Sequence, residues 1–115
     1  MSSVVEVSTN VFNKTIAEAL KPVIVEFWIR SCSNCQKFKT VYEQLPKIFG
    51  DQAIFLKLNM FKTMENLKLA ESFNIVETPT TKIFYRGNEI GEIIGYRMLD
   101  AVITEIKTIL ARCKN

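Results

Sequence analysis

The stretch Val23-Ile24-Val25-Glu26-Phe27-Trp28-Ile29-Arg30-Ser31-Cys32-Ser33-Asn34-Cys35-Gln36-Lys37-Phe38 decides the fold. Val23 to Ile29 is a nearly continuous apolar, β-branched run, the pattern of a strand covered on both faces. After the two cysteines, Phe38, Val41, Tyr42, Leu45, Ile48 and Phe49 recur at helical spacing up to Gly50. The cysteine pair therefore stands where a buried strand hands over to a helix. Pro46 interrupts the helical pattern, so a kink or a fresh segment is expected there.

Working outward, Ser8, Thr9 and Asn10 offer N-caps for a helix running to about Leu20, which Lys21-Pro22 stops. Ala53 to Asn59 reads as a second buried strand, and Met64 to Phe73 as a helix with Leu67 and Ala70 on its inner face. Thr80 to Tyr85 and Glu89 to Ile94 flank Arg86-Gly87-Asn88, a turn short enough for a hairpin. From Met98 to about Arg112, the residues Leu99, Val102, Ile103, Ile106, Ile109 and Leu110 form one apolar helical stripe. Parallel crossovers followed by an antiparallel hairpin predict an α/β fold with a mixed sheet between helices.

With 115 residues and 48% hydrophobic content, residues 1–115 should form one domain with its own core. The net charge of +3 comes from scattered residues, without a run of like charge, so no nucleic-acid partner is expected. The N-terminus does not read as a signal peptide. No apolar run approaches the roughly 18 to 20 residues that span a bilayer. The expectation is a soluble, cytoplasmic monomer, and in that compartment a CxxC pair is more often catalytic or metal-binding than a permanent crosslink.

A thiolate at a helix N-terminus is stabilised by unpaired backbone N–H groups and by the helix dipole. Cys32 is the expected nucleophile on that ground. Cys35 lies one turn further on the same helix face, close enough to attack a mixed disulfide formed on Cys32. A permanent Cys32–Cys35 staple would close a very short ring worth only about 2 kcal/mol. A zinc site needs about four ligands. With no histidine and only Cys113 as a further cysteine, it would require a dimer or carboxylate ligands. Redox chemistry is the leading reading of the pair, and metal binding or an inert pair stays open.

Each buried strand also carries one ionisable residue where none belongs. Glu26 interrupts Val23 to Ile29 and Lys57 interrupts Ile54 to Met60. An unpaired buried charge is costly, which favours mutual pairing or a shifted pKa.

Glu26-Phe27-Trp28 leading into Cys32-Ser33-Asn34-Cys35 resembles the active-site segment of thioredoxins. Lys57-Leu58-Asn59, Thr78-Pro79-Thr80, the turn at Gly87 and Gly95 before the final helix match further landmarks in order and spacing, so the resemblance covers nearly the whole chain. It implies a thioredoxin fold, a central mixed β-sheet flanked by helices on both faces. It also implies a thiol–disulfide oxidoreductase that reduces disulfide-containing protein substrates without a bound cofactor, recharged by a separate thioredoxin-reductase-type donor. Glu26 becomes the candidate proton shuttle and Lys57 its electrostatic partner. Pro79 matches the family's cis-proline, which would leave the Thr78 backbone free to pair with an extended substrate. Trp28, Ser31, Ser33, Asn34, Thr78, Pro79 and Gly95 make up the expected docking surface. Glutaredoxin-like or isomerase-like activity, or a binding module without turnover, are the alternatives.

The chain departs from the family pattern near the cysteines. Ser31 replaces the usual tryptophan, Ser33-Asn34 the usual Gly-Pro, and Glu26 the commoner aspartate. The mid-helix proline near Thr40 is absent, and Met60-Phe61 stands where a more acidic segment is usual. Ser33 and Asn34 are expected to offer polar contacts to a Cys32 thiolate, making the dithiol less strongly reducing than a typical thioredoxin. Arg30, Lys37, Lys39 and Lys62 give the surroundings a basic character. Cys113 is expected to be a free thiol, and the eight phenylalanines mostly core.

Overall fold

A computed structural model describes residues 3–113. Five strands form one sheet: β1 (Val5–Glu6), β2 (Val23–Trp28), β3 (Ile54–Asn59), β4 (Thr80–Tyr85) and β5 (Asn88–Ile94). Their spatial order is β1-β3-β2-β4-β5. β3 runs parallel to both β1 and β2, while β4 is antiparallel to β2 and β5. The helices are α1 (Thr9–Glu18), α2 (Ser33–Tyr42), α3 (Leu45–Phe49), α4 (Met64–Ser72) and α5 (Leu99–Leu110). This is the mixed sheet, covered on both faces, that the strand and helix patterns predict.

Side-chain alternation along the strands divides the core in two. Ile24, Phe55, Ile83 and Ile93 meet Phe38 and Tyr42 of α2, Leu45 and Phe49 of α3, and Val102, Ile106 and Ile109 of α5. On the other face Val23, Val25, Phe27, Leu56, Leu58 and Phe84 pack with Phe12 of α1 and Ala70 of α4. Phe12 sits edge-on to Phe27, Phe73 and Phe84 with centroids 5.5–6.2 Å apart, the spacing favoured by aromatic pairs.

Several local expectations change. Of the two outcomes expected at Pro46, the fresh segment is the one that forms: the proline lies in the first turn of the separate helix α3, where its missing N–H has no intrahelical role to lose. Ile48 consequently turns outward, 43% exposed. Leu67 is only half-buried, and α4 instead buries Asn66 and Ala70. The Asn66 side chain accepts from the Thr9 N–H and hydroxyl and donates to the Asn59 carbonyl, which ties α1, α4 and the end of β3 together. Phe61 stands apart from the core at 64% exposure. The hairpin turn is shorter than expected, since Tyr85 pairs with Asn88 across Arg86 and Gly87 alone. Both turn residues have positive φ, 50° and 85°, as a two-residue hairpin of this twist requires. The short strand β1 was not evident in the sequence pattern. Among the described residues, no helix is long and apolar enough to cross a membrane.

Candidate active site

The end of β2 and the start of α2 deliver the cysteines. Cys32 is the N-cap of α2 and Cys35 lies within its first turn, facing inward at 4% exposure. Both are free thiols. The Cys35 backbone N–H donates to Cys32 Sγ at 3.0 Å, so the sulfur fills the position that a capping oxygen takes at other helices. Cys32 Sγ in turn donates to the Thr78 carbonyl at 3.3 Å. Partial burial pushes the Cys32 thiol up, but interactions with the side chains of Cys35 and Thr78 and with the backbone of Cys35 and Asn34 outweigh it and hold the thiol below its ordinary value. Cys35 goes the other way: desolvation first, then its hydrogen bond with Cys32, pushes it up to about 12. One sulfur is readied as a thiolate and the other kept as a thiol.

The expected polar contacts from Ser33 and Asn34 do not form. Both side chains are exposed, and among the described residues neither bonds to Cys32. The stabilising donors are backbone N–H groups of the helix start, which any residue type supplies. Ser31 is likewise exposed.

Beneath the helix, register places Glu26 opposite Lys57 on β3 and Thr81 on β4. Glu26 is 4% exposed and lines a pocket of about 190 Å³ with Trp28, Cys35 and Lys57, with exposed Arg30, Gln36 and Lys39 also on its wall. Desolvation, offset in part by the Lys57 charge, raises its carboxyl to about 8. The two charges form no ion pair among the described residues, so the outcome is a shifted pKa rather than direct pairing. Lys57 Nζ lies over the Trp28 ring, 5.2 Å from its centroid. Thr81 Oγ1, on the same sheet face, is buried with no hydrogen-bond partner.

The remaining landmarks converge on the same end of the sheet. The Thr78–Pro79 peptide is cis, and the Pro79 carbonyl accepts from the Gly95 N–H at 2.7 Å. Gly95 has φ 90°, and a Cβ there would come within 3.1 Å of Glu77 Oε2, so glycine suits the position twice over. Lys37 lies over the Tyr96 ring and Lys39 pairs with Glu43 at 3.0 Å. Cys113, in the last turn after α5, is free and remote in sequence from the pair. Sequence reasoning missed Glu6, whose carboxylate accepts from Trp28 Nε1–H; its only signal was an acid in a short β-branched segment. Among the described residues, no group of three or more His, Cys, Asp or Glu side chains could hold a metal ion.

A strand-delivered CxxC at a helix cap, with a cis-proline against it and a buried acid below, sits at one end of a sheet with the thioredoxin fold. The thioredoxin family model matches residues 3–108, and the chain belongs to that family. It is 28% identical to thioredoxin of Mycolicibacterium smegmatis over 95% of this chain and 96% of that one. It is 30% identical to thioredoxin 1 of Synechococcus elongatus, covering 83% and 86%. A probable protein disulfide-isomerase A6 of Medicago sativa is 31% identical, but the match spans 82% of this chain and only 26% of that longer protein. The crystal structure of thioredoxin F from spinach chloroplast, short form, superposes with a TM-score of 0.83 at 28% identity, covering 94% of each chain. The chain is thus a thioredoxin-type thiol–disulfide oxidoreductase.

The raised Glu26 carboxyl has a stability consequence of definite sign. Between pH about 4.5, its ordinary value, and about 8, the folded chain keeps a proton that the unfolded chain has released. Stability from this group is full below that window and falls as pH rises through it, by up to about 1.4 kcal/mol per pH unit. Chemical denaturation of the reduced protein at pH 5, 6 and 7 should show this decline in wild type and a flatter profile in Glu26→Gln. Parallel profiles would contradict the assignment.

Proposed function

We propose that the chain is a protein-disulfide reductase in which Cys32 attacks and Cys35 resolves. The observation that carries the reading is the opposed state of the two sulfurs, a capped Cys32 held below the ordinary thiol value and a buried Cys35 held well above it. The Cys32 thiolate attacks one sulfur of a substrate disulfide, and the other substrate sulfur leaves as a thiolate. Glu26, ionised, takes the Cys35 proton, directly or through the pocket they share. The Cys35 thiolate then attacks the Cys32 sulfur of the mixed disulfide. A Cys32–Cys35 disulfide forms, the second substrate thiol is released, and two electrons have passed to the substrate. A separate reductase-type donor returns them. No cofactor is needed, because the sulfurs carry the electrons.

Lys57 acts on Glu26 through space, lowering the cost of ionising it. The docking surface is the rim formed by Trp28, Ser31, Ser33 and Asn34 on one side and Thr78, Pro79 and Gly95 on the other. The Thr78 N–H has no partner among the described residues, so it is free to receive a carbonyl from an extended substrate segment. The mildly basic surroundings, Arg30, Lys37 and Lys62, suit substrates with acidic character near their disulfide.

Reduction of insulin disulfides by dithiothreitol tests the reading. Wild type should accelerate precipitation of the insulin chains, and Cys32→Ser and Cys35→Ser should each abolish it, with Cys35→Ser also trapping a mixed disulfide. No acceleration by wild type would leave a binding module without turnover.

The likeness to a disulfide isomerase makes the reduction potential informative. The donor to Cys32 is a backbone N–H of the helix start, which any residue type supplies, so no feature specific to this chain favours its reduced form. Equilibration with a glutathione buffer should give a value near the roughly −270 mV of thioredoxin. A value near about −180 mV would contradict this and move the reading to isomerase.

A further inference from the structure

Glu6 ends β1 at the sheet edge, and its carboxylate spans the two strand ends beside the active-site loop. Oε1 accepts the Trp28 indole N–H at 3.2 Å, and Oε2 accepts the Asn59 backbone N–H at 2.9 Å. Trp28 and Asn59 are register partners and the last residues of β2 and β3. The chain leaves the sheet for α1 at Thr9, so the Glu6 side chain satisfies an N–H that a longer β1 would otherwise have taken. Register also sets Glu6 opposite Lys57, and Lys57 opposite Glu26, an acid–base–acid row across three strands on the face that α2 covers. Lys57 forms an ion pair with neither acid among the described residues, and lies instead over the indole that Glu6 holds. The indole is thus gripped at its N–H by Glu6 and covered on its face by Lys57.

We propose that Glu6 is a positioning residue for the dithiol–disulfide exchange. It fixes the Trp28 indole on the wall of the Cys35 pocket and adds a second carboxylate to the cross-strand row that holds Lys57 and Glu26. The proposal rests on the reductase reading for its functional meaning. Glu26 faces Lys57 from β3, Cys35, Lys39 and Tyr42 from α2, Glu43 from the C-cap of that helix, and Glu6 from β1. Arg30, in the loop after β2, completes the charged surroundings, and Thr81 on β4 adds a hydroxyl that does not titrate. Desolvation is the largest influence on Glu26; Lys57 opposes it, and Glu6 and Glu43 reinforce it. Removing the Glu6 charge therefore lets Glu26 ionise at lower pH. Glu6 is exposed, so its replacement leaves the core intact.

Trp28 is the sole tryptophan, so intrinsic fluorescence reports on it alone. The test compares wild type, Glu6→Ala and Glu6→Gln as reduced full-length proteins. Two measurements are made: Trp28 emission with its anisotropy, and the Glu26 side-chain carboxyl carbon followed by NMR across pH 5–10. Glu6→Ala should shift the emission to the red and lower its anisotropy. Glu6→Gln keeps an acceptor for the indole and should retain wild-type emission, while the Glu26 midpoint falls by about 0.5 pH unit. Wild-type emission in Glu6→Ala, or an unmoved Glu26 midpoint in Glu6→Gln, would overturn the proposal. Neither measurement needs turnover, so failure of the insulin assay and failure of this proposal are separate results.

Discussion

Parallel pairing of β2 with β3 sets Glu26 beside Lys57 on the sheet face that α2 covers, and the site depends on that register. Side chains alternate along a strand, so turning either charge away would also carry Ile24 or Phe55 out of the core. The Tyr42 hydroxyl holds α2 to the same pair of strands, within reach of the Ile24 carbonyl at 3.0 Å and the Leu56 carbonyl at 2.6 Å. With α2 fixed at that height, its first turn brings Cys35 down onto the Glu26 pocket and leaves Cys32 at the cap. The packing that stabilises the fold therefore also imposes a buried acid under a buried thiol.

The two sulfurs lie three residues apart and differ through environment alone. Cys32 is held by N–H donors at the open end of a helix, where negative charge is favourable. Cys35 lies where water is excluded and its anion unfavourable. Glu26 shares that exclusion, which raises its carboxyl to about 8. Thr78, delivered by the cis peptide before Pro79, closes the site from the far side of the sheet's end.

Much of this was legible in the sequence. Continuous apolar runs located β2 and β3, the Gly-containing turn located the hairpin of β4 and β5, and the strand-to-helix junction located the dithiol, because these signals are local. Glu26 and Lys57 stood out as charges inside apolar runs. What the sequence concealed depends on neighbours distant along the chain. β1 is a two-residue strand that exists only by pairing with β3. Glu6 gains its role from Trp28 and Asn59, and Asn66 is buried by bonds to Thr9 and Asn59. Ser33 and Asn34 misled because their side-chain chemistry suggested contacts, whereas at a helix start the backbone already supplies the donors and these side chains face solvent.

The asymmetry of the dithiol is the central claim, and cysteine alkylation resolved by mass spectrometry tests it most directly. Reduced protein would be treated with iodoacetamide across pH 5–10 and the rate at each cysteine followed. The account predicts that Cys32 reacts with a midpoint below that of an ordinary thiol, while Cys35 stays unreactive throughout that range. Equal rates at the two sulfurs, or faster modification of Cys35, would contradict it.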